Sequence, residues 1–149
     1  MIAKWKCIVL HHSLTKDSGT VSWQAIRRYH MGLISGSPYH MTDIGYHYGI
    51  ELVNDEYEIL AGRSLIREGA HTIGMNEKAI GVCFVGNFDE TEVPARQWQK
   101  GLELVYTLAS ICFIPVNCIR GHRDYAPKSC PGKLFDLDKF RSDLLDVRI

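Results

Sequence analysis

Seven histidines (His11, His12, His30, His40, His47, His71 and His122) and five cysteines (Cys7, Cys83, Cys112, Cys118 and Cys130) make metal chemistry the first possibility to weigh. Four of the cysteines lie in apolar stretches such as Gly81-Val-Cys83-Phe-Val85 and read as small core hydrophobes. An odd number of cysteines in a chain of this length speaks against a disulfide framework. Cys130 differs, because Lys128, Ser129, Pro131 and Gly132 surround it in a loop. A catalytic zinc needs three protein ligands and one open position, and two histidines with one cysteine form an accepted set. The spacing His122-x7-Cys130 lets a loop containing Ala126-Pro127 fold back so that imidazole and thiolate converge, with a histidine of the pair His11-His12 arriving from elsewhere. From spacing alone the set stays open: His122 as a surface loop residue and Cys130 as an ordinary thiol fit it too.

These side chains must be placed by the elements around them. Lys6 to Ser13 reads as a buried strand, apolar without polar alternation, ending on His11 and His12. Neighbours on a regular strand point to opposite faces, so His11 and His12 cannot both reach one ion, and by the same rule His47 points away from Tyr46. Ser22 is placed to cap a helix through about Leu33, broken by Ser35-Gly-Ser-Pro38. Tyr46–Val53 and Glu56–Ala61 read as strands joined at Asn54-Asp55, and Ala79–Phe88 as another buried strand. Pro94 suits the first turn of a long helix with Trp98, Leu102, Val105, Leu108 and Cys112 on one stripe. A short strand over Val116–Gly121, a loop over His122–Leu134 and a helix over Asp136–Leu145 follow. The expected architecture is α/β: one domain spanning 1–149, a mixed sheet flanked by helices, with chemistry gathered where strands end.

Composition narrows the function. With 46% hydrophobic and 23% charged residues, the chain is that of a globular domain with its own core. Lysine plus arginine and aspartate plus glutamate each number 17, so no net field draws the chain to nucleic acid or anionic lipid. No run of about 18 apolar residues exists for membrane insertion. The start, Met1 to Leu10, has too short an apolar run for a signal peptide, so synthesis and folding in the cytoplasm are expected.

Five segments in order carry a resemblance: Ile8-Val-Leu-His11-His-Ser13, Asp43-Ile-Gly-Tyr46-His-Tyr48, Ala61-Gly-Arg63, Ala79-Ile-Gly-Val82, and Gly121-His122 through Ala126-Pro-Lys128-Ser-Cys130-Pro131. Together they resemble the zinc-dependent N-acetylmuramoyl-L-alanine amidases of type 2, related to peptidoglycan recognition proteins, and most of all the small phage lysozymes that are amidases. The resemblance covers nearly the whole chain and implies that fold. It implies one Zn2+ held by His11, His122 and Cys130, and it alone selects His11 over His12. It implies Tyr46 and Lys128 as the polar catalytic pair, which would help a water attack the amide between the muramoyl lactyl group and L-alanine. His12 is then a hydrogen-bonded histidine behind the site and His47 a structural one, while His30 and His40 carry no signal.

Three further residues are expected near substrate. His71, with Gly69-Ala70 before it, falls in a stretch that forms a cleft wall in the family, and is expected to touch the peptide or lactyl group. Arg63 is placed either to fork onto a peptide carboxylate or to brace its loop, and Asn76 to donate to the stem peptide. The loop Pro131-Gly-Lys-Leu134 departs from the family pattern and leaves side-chain preference open. The expected substrate is polymeric peptidoglycan, reached after release or assisted export by an endolysin acting as a monomer. Alternatives are a cytosolic amidase recycling anhydromuropeptides, a peptidoglycan-binding protein without catalysis, which the presence of Cys130 disfavours, and a polymerase-regulating protein.

Overall fold

A computed structural model describes residues 4–15 and 22–147. The expected leaderless start lies partly outside the described residues, in 1–3. Five strands form one sheet: β1 (Cys7–His12), β2 (Tyr48–Val53), β3 (Glu56–Ala61), β4 (Ala79–Phe84) and β5 (Ile119–Gly121), in the order β3-β2-β4-β1-β5. β2 and β3 are antiparallel, and the other pairings are parallel, so the sheet is mixed. Asn54 and Asp55 take φ of 48° and 66°, the left-handed backbone a two-residue hairpin needs to follow the strand twist.

β1 lies between β4 and β5 and is buried throughout. Its alternation sends Ile8 and Leu10 into the main core, beneath α2 (Ala95–Cys112) and α3 (Leu137–Leu145). Val9 and His11 therefore face the opposite side of the sheet. β4 divides in the same way: Val82 and Phe84 join the main core, whereas Cys83 joins Trp23, Ile26, Ile44 and Val85 beneath α1 (Trp23–His30). Fully burying a side chain such as Phe84 contributes about 1.5–3 kcal/mol, which makes this two-sided packing the main restraint on β1 and β4. Gln97, buried near the start of α2, donates to the carbonyls of Ile50 (3.0 Å) and Val85 (2.9 Å) and fixes that helix on the sheet.

α1 and α3 begin on a side-chain cap, whereas α2 follows Pro94, which offers none. The Ser22 hydroxyl accepts the N–H of Ala25 (3.2 Å) and the Asp136 carboxylate that of Lys139 (2.9 Å), each cap being worth about 1 kcal/mol. α1 is shorter than expected, ending at His30 rather than Leu33, with Gly32 at a φ of 74° just beyond it. β4 likewise stops at Phe84, since Gly86 takes φ of 151° and turns the chain. The strand expected over Val116–Gly121 is a 3-10 turn (Val116–Cys118) followed by β5, because only Ile119 to Gly121 lie in register with Ile8 to Leu10 of β1.

Candidate metal centre

On the α1 side of the sheet a cleft of about 850 Å³ runs between α1 and the loop that follows β5. His11 enters its floor from β1, while His122 opens a 3-10 turn immediately after β5. The chain then returns, with the Arg123 N–H bonded to the Cys130 carbonyl (2.7 Å), and brings Cys130 back beside His122. One donor atom from each of His11, His122 and Cys130 lies within 4.8 Å of the others. His11 Nδ1 and Cys130 Sγ are 3.6 Å apart. Nitrogen at about 2.05 Å and sulfur at about 2.3 Å from a tetrahedral zinc are separated by about 3.6 Å, so the donor set fits that ion.

Electrostatics suit cation capture. Burial holds His11 well below the usual imidazole range, helped by neighbouring His71 and His122, and burial likewise lowers His122, aided by Lys128. Both rings are thus neutral and able to offer a lone pair at neutral pH. Burial pushes the Cys130 thiol up to about 11, against the opposing effects of the His12 carbonyl contact and the Lys128 charge. A thiol that stays protonated alone but faces two neutral imidazoles is arranged to exchange its proton for a metal.

Tyr46 and Lys128 line the same cleft. The Tyr46 ring lies 5.0 Å from that of His11, between centroids. Burial, then the Cys83 and Cys130 thiols, lift its phenol well above the usual range, so the phenol keeps its proton. Lys128 is exposed at the mouth, close enough for its charge to act on His11, His122 and Cys130.

The two neighbouring histidines turn away, His12 by strand alternation within β1, and His47 by its own bonds, since β2 begins at Tyr48 rather than at the expected Tyr46. His12 Nδ1 accepts the N–H of Phe88 (3.1 Å). His47 accepts the Gly81 N–H on Nδ1 (3.0 Å) and donates from Nε2 to the Arg67 carbonyl (2.9 Å), joining the lead-in of β2 to β4.

The three residues expected near substrate all have partners within the protein. His71 lines the cleft, yet both ring nitrogens are engaged inside the protein: Nδ1 is 2.9 Å from His11 Nε2 and Nε2 is 3.1 Å from the Ala79 carbonyl. Its pKa, lowered to about 3 by burial against the opposing Ala79 bond, keeps the ring neutral. Arg63 does not face the cleft; it donates to the carbonyls of Ile44 (2.8 Å) and Glu68 (3.0 Å), the bracing role. Asn76 is at the cleft, but its Oδ1 accepts the N–H groups of His71 and Thr72 (2.8 Å each), which fixes the loop bearing them.

Other cleft residues had no sequence signal. His30, at the end of α1, accepts the Gly45 N–H (2.9 Å) and, with Tyr39 5.7 Å and Tyr46 5.4 Å away between ring centroids, builds an aromatic wall. A groove of similar size, about 830 Å³, lies between α2 and α3, lined by residues such as Trp98, Leu102, Glu103 and Lys139, and has no histidine or cysteine.

Comparison with known proteins agrees with this geometry. The family model described as N-acetylmuramoyl-L-alanine amidase matches residues 2–133. The endolysin of Enterobacteria phage T3 is 33% identical over 144 residues, covering 93% of this chain and 86% of the relative. The endolysin of Escherichia phage T7 is 34% identical over 139 residues, covering 89% and 83%. Among solved structures, the N-acetylmuramoyl-L-alanine amidase LysC from Clostridium intestinale URNW superimposes with a TM-score of 0.81 at 26% identity, covering 99% of this chain and 89% of that one. Sequence, fold and cleft thus lead to one assignment, and the chain belongs to the N-acetylmuramoyl-L-alanine amidase family.

Proposed function

We propose that this peptidoglycan amidase is zinc-dependent and lytic, that His11, His122 and Cys130 hold the metal, and that Tyr46 and Lys128 assist the chemistry. The observation that carries the proposal is the convergence of two neutral imidazoles and a thiol within 4.8 Å in a cleft. With two neutral ligands and one thiolate a zinc ion keeps net positive charge, and it supplies Lewis acidity toward water and toward the amide carbonyl. The scissile bond joins the muramic acid lactyl group to L-alanine, and its hydrolysis leaves a lactyl carboxylate and a free alanine amino group.

The protein's own groups have distinct tasks in this reaction. Tyr46 keeps its phenolic proton and donates it as a hydrogen bond to the carbonyl oxygen as negative charge develops there. Lys128 brings a positive charge to the mouth of the cleft, where it offsets the same developing charge. The aromatic wall of His30, Tyr39 and Tyr46 gives a flat apolar surface for the sugar-peptide junction. A cleft of about 850 Å³ is ample for that junction. All three metal donors come from a single chain, so the proposed working form is a monomer. No helix among the described residues is long and apolar enough to cross a membrane.

The lytic reading rests on likeness to phage endolysins over nearly the full length of each. Purified protein incubated with intact sacculi and with soluble muropeptides tests it. Sacculi should be cleared with release of peptides bearing N-terminal alanine, and chelation should stop the release. Activity confined to soluble muropeptides would overturn the lytic role, and clearing without new N-terminal alanine would overturn the bond assignment.

A further inference from the structure

Two nitrogens 2.9 Å apart, His11 Nε2 and His71 Nδ1, need one proton between them, since two facing lone pairs would repel. Which ring owns it follows from the far side of His71. Its Nε2 lies 3.1 Å from the Ala79 carbonyl, which can only accept, so that nitrogen carries a proton. In a neutral imidazole the other nitrogen is then an acceptor, and the shared proton belongs to His11 Nε2. His11 Nδ1 is left with its lone pair, pointing toward Cys130 Sγ at 3.6 Å. The Thr72 hydroxyl, 2.9 Å from His71 Nδ1 and 3.3 Å from His11 Nε2, is compatible with this assignment, because it can donate to the first and accept from the second.

We infer that His71 is a positioning residue for the metal centre: through the Ala79 carbonyl it fixes His11 as the Nε2–H tautomer with Nδ1 free to ligate. This rests on the reading that His11, His122 and Cys130 form the centre.

The surroundings of the ring support this role independently. A Cβ built on Gly81 would lie 2.5 Å from the His71 ring, and one on Gly69 would lie 2.4 Å from it. Only glycine at these two positions leaves room for the imidazole, so the ring is closely confined beside β4. Asn76 then fixes the loop from the other end by accepting the N–H groups of His71 and Thr72. His71 is also 9% exposed, so water does not compete for its nitrogens. A ring presented for substrate alone would not need both nitrogens satisfied inside the protein. The arrangement matches the general pattern in which a ligating histidine is oriented by a partner at its other nitrogen.

Two measurements on the whole protein test the inference. In zinc-free wild type, 15N-detected NMR of the histidine rings should show His11 protonated on Nε2 and His71 on Nε2. Protonation of His11 on Nδ1 would overturn it. Zinc affinity, read by competition with a chromogenic chelator, should fall about 10–100-fold in His71→Leu. His71→Asn keeps an acceptor near the Nδ1 position and should recover part of that loss. Gly81→Ala removes no hydrogen-bonding group but displaces the ring, and should also weaken zinc; it serves if His71→Leu does not fold. Wild-type affinity in folded His71→Leu, or in Gly81→Ala should the leucine variant not fold, would overturn the inference. Failure of wild type itself to bind zinc would instead overturn the reading of the centre, and the ring protonation of the zinc-free protein would still decide the tautomer.

Discussion

The buried carboxylate of Glu51, on β2, accepts the backbone N–H of Trp23, the first residue of α1, at 3.1 Å. A strand thereby supplies negative charge to the N-terminus of the helix that forms one wall of the cleft. Glu51→Ala leaves that N–H without its charged acceptor, at a cost of about 1–3 kcal/mol. At roughly 2–4 °C per kcal/mol for a domain of this size, differential scanning calorimetry should record a clear fall in Tm. A Tm within error of wild type would mean that the Glu51 bond adds nothing to the packing of Trp23 and Ile26 and the other bonds that hold α1, such as Arg27 to Asp43.

Metal content gives the second prediction. Purified protein should carry about one zinc per chain by elemental analysis, and chelation should abolish activity until zinc is restored. Cys130→Ser exchanges a thiolate for a hydroxyl that remains protonated, so zinc and hydrolysis should both be lost while the circular dichroism of the folded chain persists. Stoichiometric zinc in that variant would remove Cys130 from the centre.

Zinc binding should also depend on pH in a specified way. The imidazoles of His11 and His122 are already neutral near pH 7, their pKa values being lowered by burial, whereas the Cys130 thiol, at about 11, must lose its proton on binding. One proton is therefore released per metal, and affinity should rise about tenfold per pH unit between roughly pH 7 and 9. Titration calorimetry in buffers of different ionisation enthalpy measures that proton directly. Release of no proton at pH 7 would mean that the thiol is already ionised in the metal-free protein.

Chemistry can be separated from metal capture at the two polar cleft residues. Tyr46→Phe and Lys128→Ala should each retain zinc yet lower kcat by about 10²–10³, the usual effect of removing one donor to a developing oxyanion. With KM little changed, kcat and kcat/KM should fall together. His47→Ala is the control: it breaks the ties to Gly81 and Arg67, so Tm should fall more than turnover per folded molecule. Full turnover in both cleft variants would remove them from the mechanism.

The elements that sequence predicts best are those whose signals are local. Glu56–Ala61 matches β3 residue for residue, because Asn54-Asp55 fixes both hairpin length and register. The apolar stripe of α2 is equally plain, with Leu102, Val105, Leu108 and Cys112 all buried. The expected strand runs on through Val85-Gly86-Asn87-Phe88, yet the chain leaves the sheet after Phe84, and the Phe88 N–H satisfies His12 on β1, a partner 76 positions away. The internal partners of His71 and Arg63 are hidden from the sequence in the same manner. Their chemistry as free side chains is clear from the sequence, but their partners, the His11 ring 60 positions away and the Ile44 carbonyl 19 away, are set by tertiary packing. The resemblance, not residue type alone, singled out His11, His122 and Cys130, whose donor atoms lie within 4.8 Å of one another, and only three-dimensional proximity reveals the groups packed behind them.

The position of β1 between β4 and β5 has a consequence for synthesis. His11 is synthesised well before Cys130, which lies 119 positions later in the chain, and one flanking strand, β5, begins only at Ile119. Parallel pairings of such long range form slowly and cannot form at all before both strands exist. A nascent chain or a product truncated before β5 therefore has neither the complete sheet nor the second and third donors. The three donors can meet only after β5 and the loop behind it have been made, so a chain that stops before Ile119 carries no such cluster.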